Sequence, residues 1–346
     1  MTVHQAKNAF RLVSMVILLT IVTSIFNSNS AFASSSEGEE FNPGEMIMHH
    51  VKDAHSWHLF DGHYGTLHLP IILYSEQNGL EIFSSSNFYD EHHNLVEYKG
   101  YKLEHEHVKV VDNEEAHVYD LSITKNVLML FVNAVILIFI FTAVARGYKK
   151  NAGKAPKGIQ SFFEPIIIYL RDEVIKPNIG PKYERYLPYL LSLFFFIWFG
   201  NLLGLLPGAA NLTGNIAVTS VLAIATFLIV NFSGNKAYWG HIFKTPGVPV
   251  PLLPIIVPVE IIGIFTKPIS LLVRLFVAIT AGHIVILSLL GLIFIFHSYA
   301  VGVGSTLIVL FINLIELLVA TIQAYVFTMF SALYIGLAVA DHGDHH

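Results

Sequence analysis

The run TKPISLLVRLFVAITAGHIVILSLLGLIFIF, from Thr266 to Phe296, is apolar over more than the roughly 20 residues a helix needs to cross a bilayer. Arg274 lies inside it, and His283 follows nine residues later. A charged side chain at bilayer depth costs a few kcal/mol or more and by default marks function. This stretch therefore sets the class of the chain and poses a question: what compensates the guanidinium?

Composition agrees with a membrane chain. Of 346 residues, 54% are hydrophobic and 13% charged, where soluble domains carry about a quarter charged. Mean hydropathy is +0.59. Further apolar runs occupy Asn126–Ala145, Leu187–Leu206 (closed by Pro207), Ile216–Phe232 and Ser305–Ala340. The opening stretch belongs to a longer run, Pro251–His297, interrupted by Pro254, Pro258 and Pro268. The expectation is an all-α multi-span membrane protein with about five transmembrane helices. A straight helix over Ser305–Ala340 is about 54 Å long, against a hydrocarbon core of roughly 30 Å. Ordinary tilt does not absorb that excess, so the last two helices are expected as a long, slanted hairpin that offers its flank to a partner. The chain has no Cys, which excludes disulfides, thiolate-bound zinc and thiol catalysis.

Three regions follow from the pattern. Lys7 and Arg11 precede the apolar run Leu12–Phe26, and Ala31-Phe32-Ala33 completes the signature of a signal peptide, 1–33, cleaved after Ala33. Residues 34–124 are acidic and His-rich. In them TLHLPIILY and LEIF flank SEQNG, and NLVEY and YKLEHEHVKVV flank Lys99-Gly100, which reads as a small β-rich extramembrane region. Residues 125–346 form the membrane domain. The loop between the first two spans holds nine Lys and Arg from Arg146 to Arg185, and the next loop on the same side holds Lys236 and Lys244. By the positive-inside bias these loops and the C-terminus are cytoplasmic and the N-terminal region is extracytoplasmic. Gly158–Ile179, with FFEPIIIYLRDEVI, reads as an amphipathic helix on the cytoplasmic surface.

The polar residues of the spans have a geometry of their own. Glu260, Lys267 and Arg274 are spaced by seven and fall near one stripe, with Pro268 inside the register. Arg274 and His283 face opposite sides, whereas Glu316 and Gln323 share a face. In an antiparallel hairpin, contacting residue numbers have a near-constant sum. Arg274 with Gln323 gives 597, and His283 with Glu316 gives 599. One register thus sets Gln323 beside Arg274 and Glu316 beside His283, the latter pair about 13 Å farther out along the helix. Glu260 lies on the cytoplasmic side of Arg274. Each residue also has a structural reading. His283 and Glu316 can pair for neutrality, and Gln323 can bond a neighbouring helix. Lys267 can snorkel, Asn201 in FGNLLGLLPG can be a helix-packing amide, and Glu260 can mark a water-exposed helix start. Arg274, with no acid in its own run, fits a structural role least.

PVEIIGIFTKPISLLVRLF, AGH, FGNLLGLLPG and TIQAY together resemble subunit a of the F-type ATP synthase, over roughly Ser161 to Tyr334. The resemblance implies that Arg274 is the essential stator charge. It places His283, Glu316 and Asn201 along the half-channel from outside, Glu260 on the cytoplasmic exit path, and Gln323 against the Arg. It further implies a proton-channel stator working against a rotor ring of subunit c, held by peripheral stalk subunit b, with the remaining synthase subunits and the lipid bilayer as partners. Such a subunit is not an enzyme on its own, takes no cofactor, metal or nucleic acid, and sits in the bacterial inner membrane. Val277 and Ala278 depart from the small residue and Asn usual after RLF. Two rivals are a secondary ion-coupled transporter, for which no internal repeat is visible, and a membrane metalloenzyme, for which there is no HExxH and the extramembrane His residues are scattered.

Overall fold

The computed structural model describes residue 44 and residues 52–58, 65–75, 79–90, 95–104, 106–111, 118–151, 153–206, 209–244, 249–296 and 298–340. The signal peptide expected over 1–33 lies outside them.

The N-terminal region is built of short antiparallel strands. β1 (Ser56–His58) pairs with β2 (Thr66–His68). β3 (Pro70–Ser75) is flanked by β4 (Gly79–Ser84) and β7 (Val118–Asp120), and β5 (Tyr101–Glu104) pairs with β6 (His107–Val110). Side chains alternate across a strand, and the inward set of Ile71, Leu73, Phe83, Leu103, Val108 and Val110 closes on Phe88 and Tyr101 in one small core. The strands expected on both sides of Lys99-Gly100 are corrected. That turn, with both residues at positive φ (53° and 77°), joins a single bridge between Tyr98 and Tyr101. The hairpin lies within YKLEHEHVKVV, with Glu104 paired to His107. The segment before the turn is drawn elsewhere, since Leu95 bridges Tyr89 and the Val96 amide donates to the Phe88 carbonyl.

A compact joint ties this region to the first long helix, α1 (Lys125–Lys150). The Lys125 amide donates to the Ala54 carbonyl at 2.9 Å. Asp53 accepts from the Asn126 amide at 3.1 Å and from the Thr124 hydroxyl at 2.8 Å. A carboxylate there satisfies an otherwise orphaned N–H and complements the positive helix end. Beside it, buried His55 lies 2.9 Å from Asp120 and 3.9 Å from Glu106. Burial pulls the His55 pKa down, but the hydrogen bonds and charges of Asp120 and Glu106 outweigh it and raise it to about 9.

The rest is helical: α2 (Ile159–Tyr169), a wide π-type turn at Leu170–Ile175, α3 (Lys176–Ile179), α4 (Tyr183–Gly204), α5 (Ile216–Ser233), α6 (Lys236–Phe243), α7 (Leu253–Phe296) and α8 (Tyr299–Val339). Asn215 and Asn235 cap α5 and α6, each side-chain oxygen accepting a first-turn amide at 2.8 Å. Five helical segments among the described residues are long and apolar enough to cross a membrane: Lys125–Lys150, Ile159–Gly204, Ile216–Ser233, Leu253–Phe296 and Tyr299–Val339. The chain is thus a multi-pass membrane protein with long C-terminal helices and a small strand-containing N-terminal region. α7 runs unbroken through Pro258 and Pro268. Proline removes one rung of the helix ladder, and an apolar environment favours keeping the others.

The described residues group into two compact units. One comprises the chain up to Phe131 with Leu203–Asn211 and His283–Ile315; the other comprises Val132–Leu202, Leu212–Gly282 and the chain from Glu316 onward. The second is centred on aromatic packing, with Phe141 and Phe195 centroids 4.6 Å apart and Phe163 against both.

Candidate functional site

In the second unit, residues of the first half of α7 meet α8 in antiparallel order. The Arg274 guanidinium lies 4.4 Å from the centre of the Phe330 ring, and the Lys267 ammonium 5.6 Å from that of Tyr334. Such cation–ring contacts are worth from about 0.5 to 2 kcal/mol as water is excluded. Among the described residues Arg274 has no carboxylate and no hydrogen-bonding group of its own chain as a partner. Gln323 is half-buried and likewise makes no hydrogen bond among them. Phe330 is seven residues beyond Gln323, so both occupy one face of α8.

Glu316 is buried at 4% exposure. Its carboxylate packs over Gly282, where a β-carbon would fall 2.8 Å from its Cδ and 2.9 Å from its Cγ. Gly282 and Glu316 sum to 598, inside the window that the hairpin register requires. The glycine of AGH is therefore the space in which the carboxyl group sits. α4 fixes this part of α8 at two adjacent residues. The Asn201 amide donates to the Ala320 carbonyl at 3.1 Å, and the Trp198 indole donates to the Thr321 hydroxyl at 3.0 Å. Asn201 also accepts from the Thr213 hydroxyl at 2.7 Å and is fully buried. Its side chain is thus engaged at both ends in holding α4, α8 and the 212–214 turn together.

Nearer the start of α7, Lys267, Pro268, Ile264, Tyr238, Asn231 and Tyr334 line a cavity of about 10 Å³. That is the room of one water. The buried Tyr238 hydroxyl has no partner among the described residues. Burial and the charge of Glu260 both push its pKa up, which places Glu260 within electrostatic reach.

In the first unit, His283 presents its Nε2 3.2 Å from the carbonyl of Gly204, the last residue of α4 and the middle of the FGNLLGLLPG segment. A β-carbon at Gly204 would fit only tightly, 3.3 Å from the backbone of Asn211. No group of three His, Asp or Glu suited to hold a metal occurs among the described residues.

Sequence reasoning missed Phe330, Tyr334, Gly282 and Tyr238. The first two carried a signal: aromatic residues four apart on α8, facing cations seven apart on α7.

Comparison with known proteins gives a direct result. The description of the ATP synthase A chain family matches residues 127–336, and that of a domain of unknown function matches 46–129. ATP synthase subunit a of Chloroherpeton thalassium is 47% identical over 74% of this chain and 78% of its own. ATP synthase subunit a 2 of Chlorobaculum tepidum is 41% identical over 94% of this chain and 82% of its own. The subunit a of an Anaeromyxobacter species is 38% identical over 91% and 75%. The apolar helices, the motif residues they position and these matches agree: the chain belongs to the ATP synthase A chain family.

Proposed function

We propose that the chain is the proton-channel stator of an F-type ATP synthase, with two half-channels that open against a ring of c subunits and couple proton flow to rotation. The observation that carries this reading is Arg274: a permanent charge within an apolar span, resting on an aromatic ring, with no acidic partner of its own among the described residues. A guanidinium keeps its charge at any relevant pH. Its compensation has to arrive from outside the chain, as a carboxylate on each passing ring subunit. At about 4 Å and an effective dielectric of 20 the attraction is about 4 kcal/mol, enough to favour the ionised carboxylate. The same charge blocks direct passage of protons between the half-channels, so each proton has to travel with the ring. Every charge carried through the field releases about 2.3 kcal/mol per 100 mV.

On the outer side, His283 and Glu316 hand protons to the ring, with Asn201 positioning α8. On the cytoplasmic side, Glu260 receives them, with Lys267 and the Tyr238 cavity beside it. Gln323, on the Arg-facing side of α8, contributes polar contact to the arriving carboxylate. The bacterial inner membrane, an extracytoplasmic N-terminal region, a cytoplasmic C-terminus, a peripheral stalk of subunit b and the region boundaries 1–33, 34–124 and 125–346 complete the proposal.

The test is acid-driven ATP synthesis and ATP-driven pumping in vesicles containing the complex. Arg274→Ala should abolish both with assembly intact and raise passive proton leak. Near-normal synthesis by an assembled Arg274→Ala complex overturns the stator role.

A further inference from the structure

The β4-β3-β7 sheet has a second face that its core does not use. Ile72, Tyr74, Leu80, Ile82, Tyr119 and Leu121 point away from the buried set, and all are uncharged. Their register is continuous: Ile72 lies opposite Ile82, and Tyr74 opposite both Leu80 and Tyr119, with the two tyrosine rings 6.3 Å apart. Leu80, Ile82, Tyr119 and Leu121 are 60–64% exposed. An antiparallel sheet with one face on a core ordinarily turns polar residues outward, and a contiguous apolar patch of this kind marks an interaction surface. The surrounding region is the opposite in character. Residues 34–124 hold 17 Asp and Glu against 4 Lys, a formal balance of −13.

Three observations identify the occupant. The first is distance. The Leu121 and Ile123 amides extend the β7 edge by donating to the Ile72 and Pro70 carbonyls. Leu121 is four residues from Lys125, within about 14 Å of the start of a membrane span. The second is rigidity: the Ala54, Asp53 and Thr124 joint fixes the sheet to the first turn of that span. The third is chemistry. The patch pairs aliphatic side chains with two tyrosines, the aromatic type that settles where headgroups meet acyl chains. On α1 itself, Val127 and Phe131 are exposed as well. With a balance of −13, no electrostatic attraction draws this region to anionic headgroups, so what holds it is apolar contact.

We propose that the open face of the β4-β3-β7 sheet docks on the bilayer surface from which α1 emerges, its tyrosines and leucines seated in the headgroup layer. This depends only on α1 crossing the membrane, and stands or falls apart from the stator role of Arg274.

The intact complex in phosphatidylcholine vesicles, treated with a membrane-partitioned carbene photolabel, should carry label on peptides spanning 70–84 as well as on the helices. Label confined to the helices overturns the proposal. Because the chain has no cysteine, single-Cys variants at exposed positions give a second reading. A fluorophore on Ile82→Cys or Leu80→Cys should be quenched by brominated phosphatidylcholine at least twofold more strongly than one on Lys109→Cys. Equal quenching at the two places refutes the docking. So does a photocrosslink from position 82 to residues 1–52 of the same chain, to a second copy or to another subunit in place of lipid.

Discussion

Replacing Gly282 with alanine should impair proton transfer while sparing the fold. The added β-carbon would stand 2.8 Å from Cδ and 2.9 Å from Cγ of Glu316, and its carboxylate oxygen is nearer still. Carbon atoms settle about 3.5–4.0 Å apart, so the carboxyl group has to retreat by roughly 0.7 Å or more. Overfilling a tight site costs about 1–3 kcal/mol. Here the group that yields is the far end of a flexible side chain, so about 1 kcal/mol is expected and the complex should assemble. The functional penalty is larger, because a displacement near 1 Å in a positioned group costs up to about 100-fold in rate. We expect at least a roughly tenfold drop in ATP-driven pumping, read by fluorescence quenching in vesicles matched for assembled complex. Adding Glu316→Asp, which withdraws the carboxyl group by one methylene, should recover part of the loss. An assembled Gly282→Ala complex with wild-type pumping refutes the reasoning, as does a double variant no better than the worse single one.

Other expectations follow from the same contacts. Gly336→Ala directs its β-carbon onto the backbone carbonyl of Asn178, which has no flexible end to withdraw, so this variant should lose assembly rather than rate, visible as loss of the subunit from purified membranes. Exchanging the proposed pair, His283→Glu with Glu316→His, should pump better than either single change; a double exchange no better than the worse single one ends the pairing. His55 has its pKa raised to about 9 from an ordinary 6.5, so its contribution is complete below pH 6.5 and is lost as pH rises through about 9. At about 1.4 kcal/mol per unit that contribution is about 3 kcal/mol. Melting of the full chain in detergent should therefore show falling stability between pH 7 and 10 that His55→Gln flattens, and an unchanged slope in the variant rules out the histidine.

The spans were legible because apolar length is a one-dimensional signal. α1 and α5 fall within a few residues of the runs that announce them. The last apolar run opens at Ser305, yet α8 begins at Tyr299. α6, eight residues long, is too short for periodicity to stand out. The stripe of Glu260, Lys267 and Arg274 was readable from spacing alone. Spacing cannot say where a long side chain ends, so the guanidinium's place on Phe330 and the ammonium's on Tyr334 needed coordinates. Asn201 was open between channel and packing from sequence; spacing could not show its two hydrogen bonds or its complete burial.

Pro268 lies between the two cations of α7, and its ring nitrogen carries no hydrogen. The carbonyl of Ile264, four residues earlier, therefore has no amide below it to bind, and both residues border the small cavity shared with Tyr238. A helix missing one rung has its least bending stiffness at that point. The segment that presents Arg274 is consequently joined to the segment bearing Glu260 by a compliant link rather than a rigid rod.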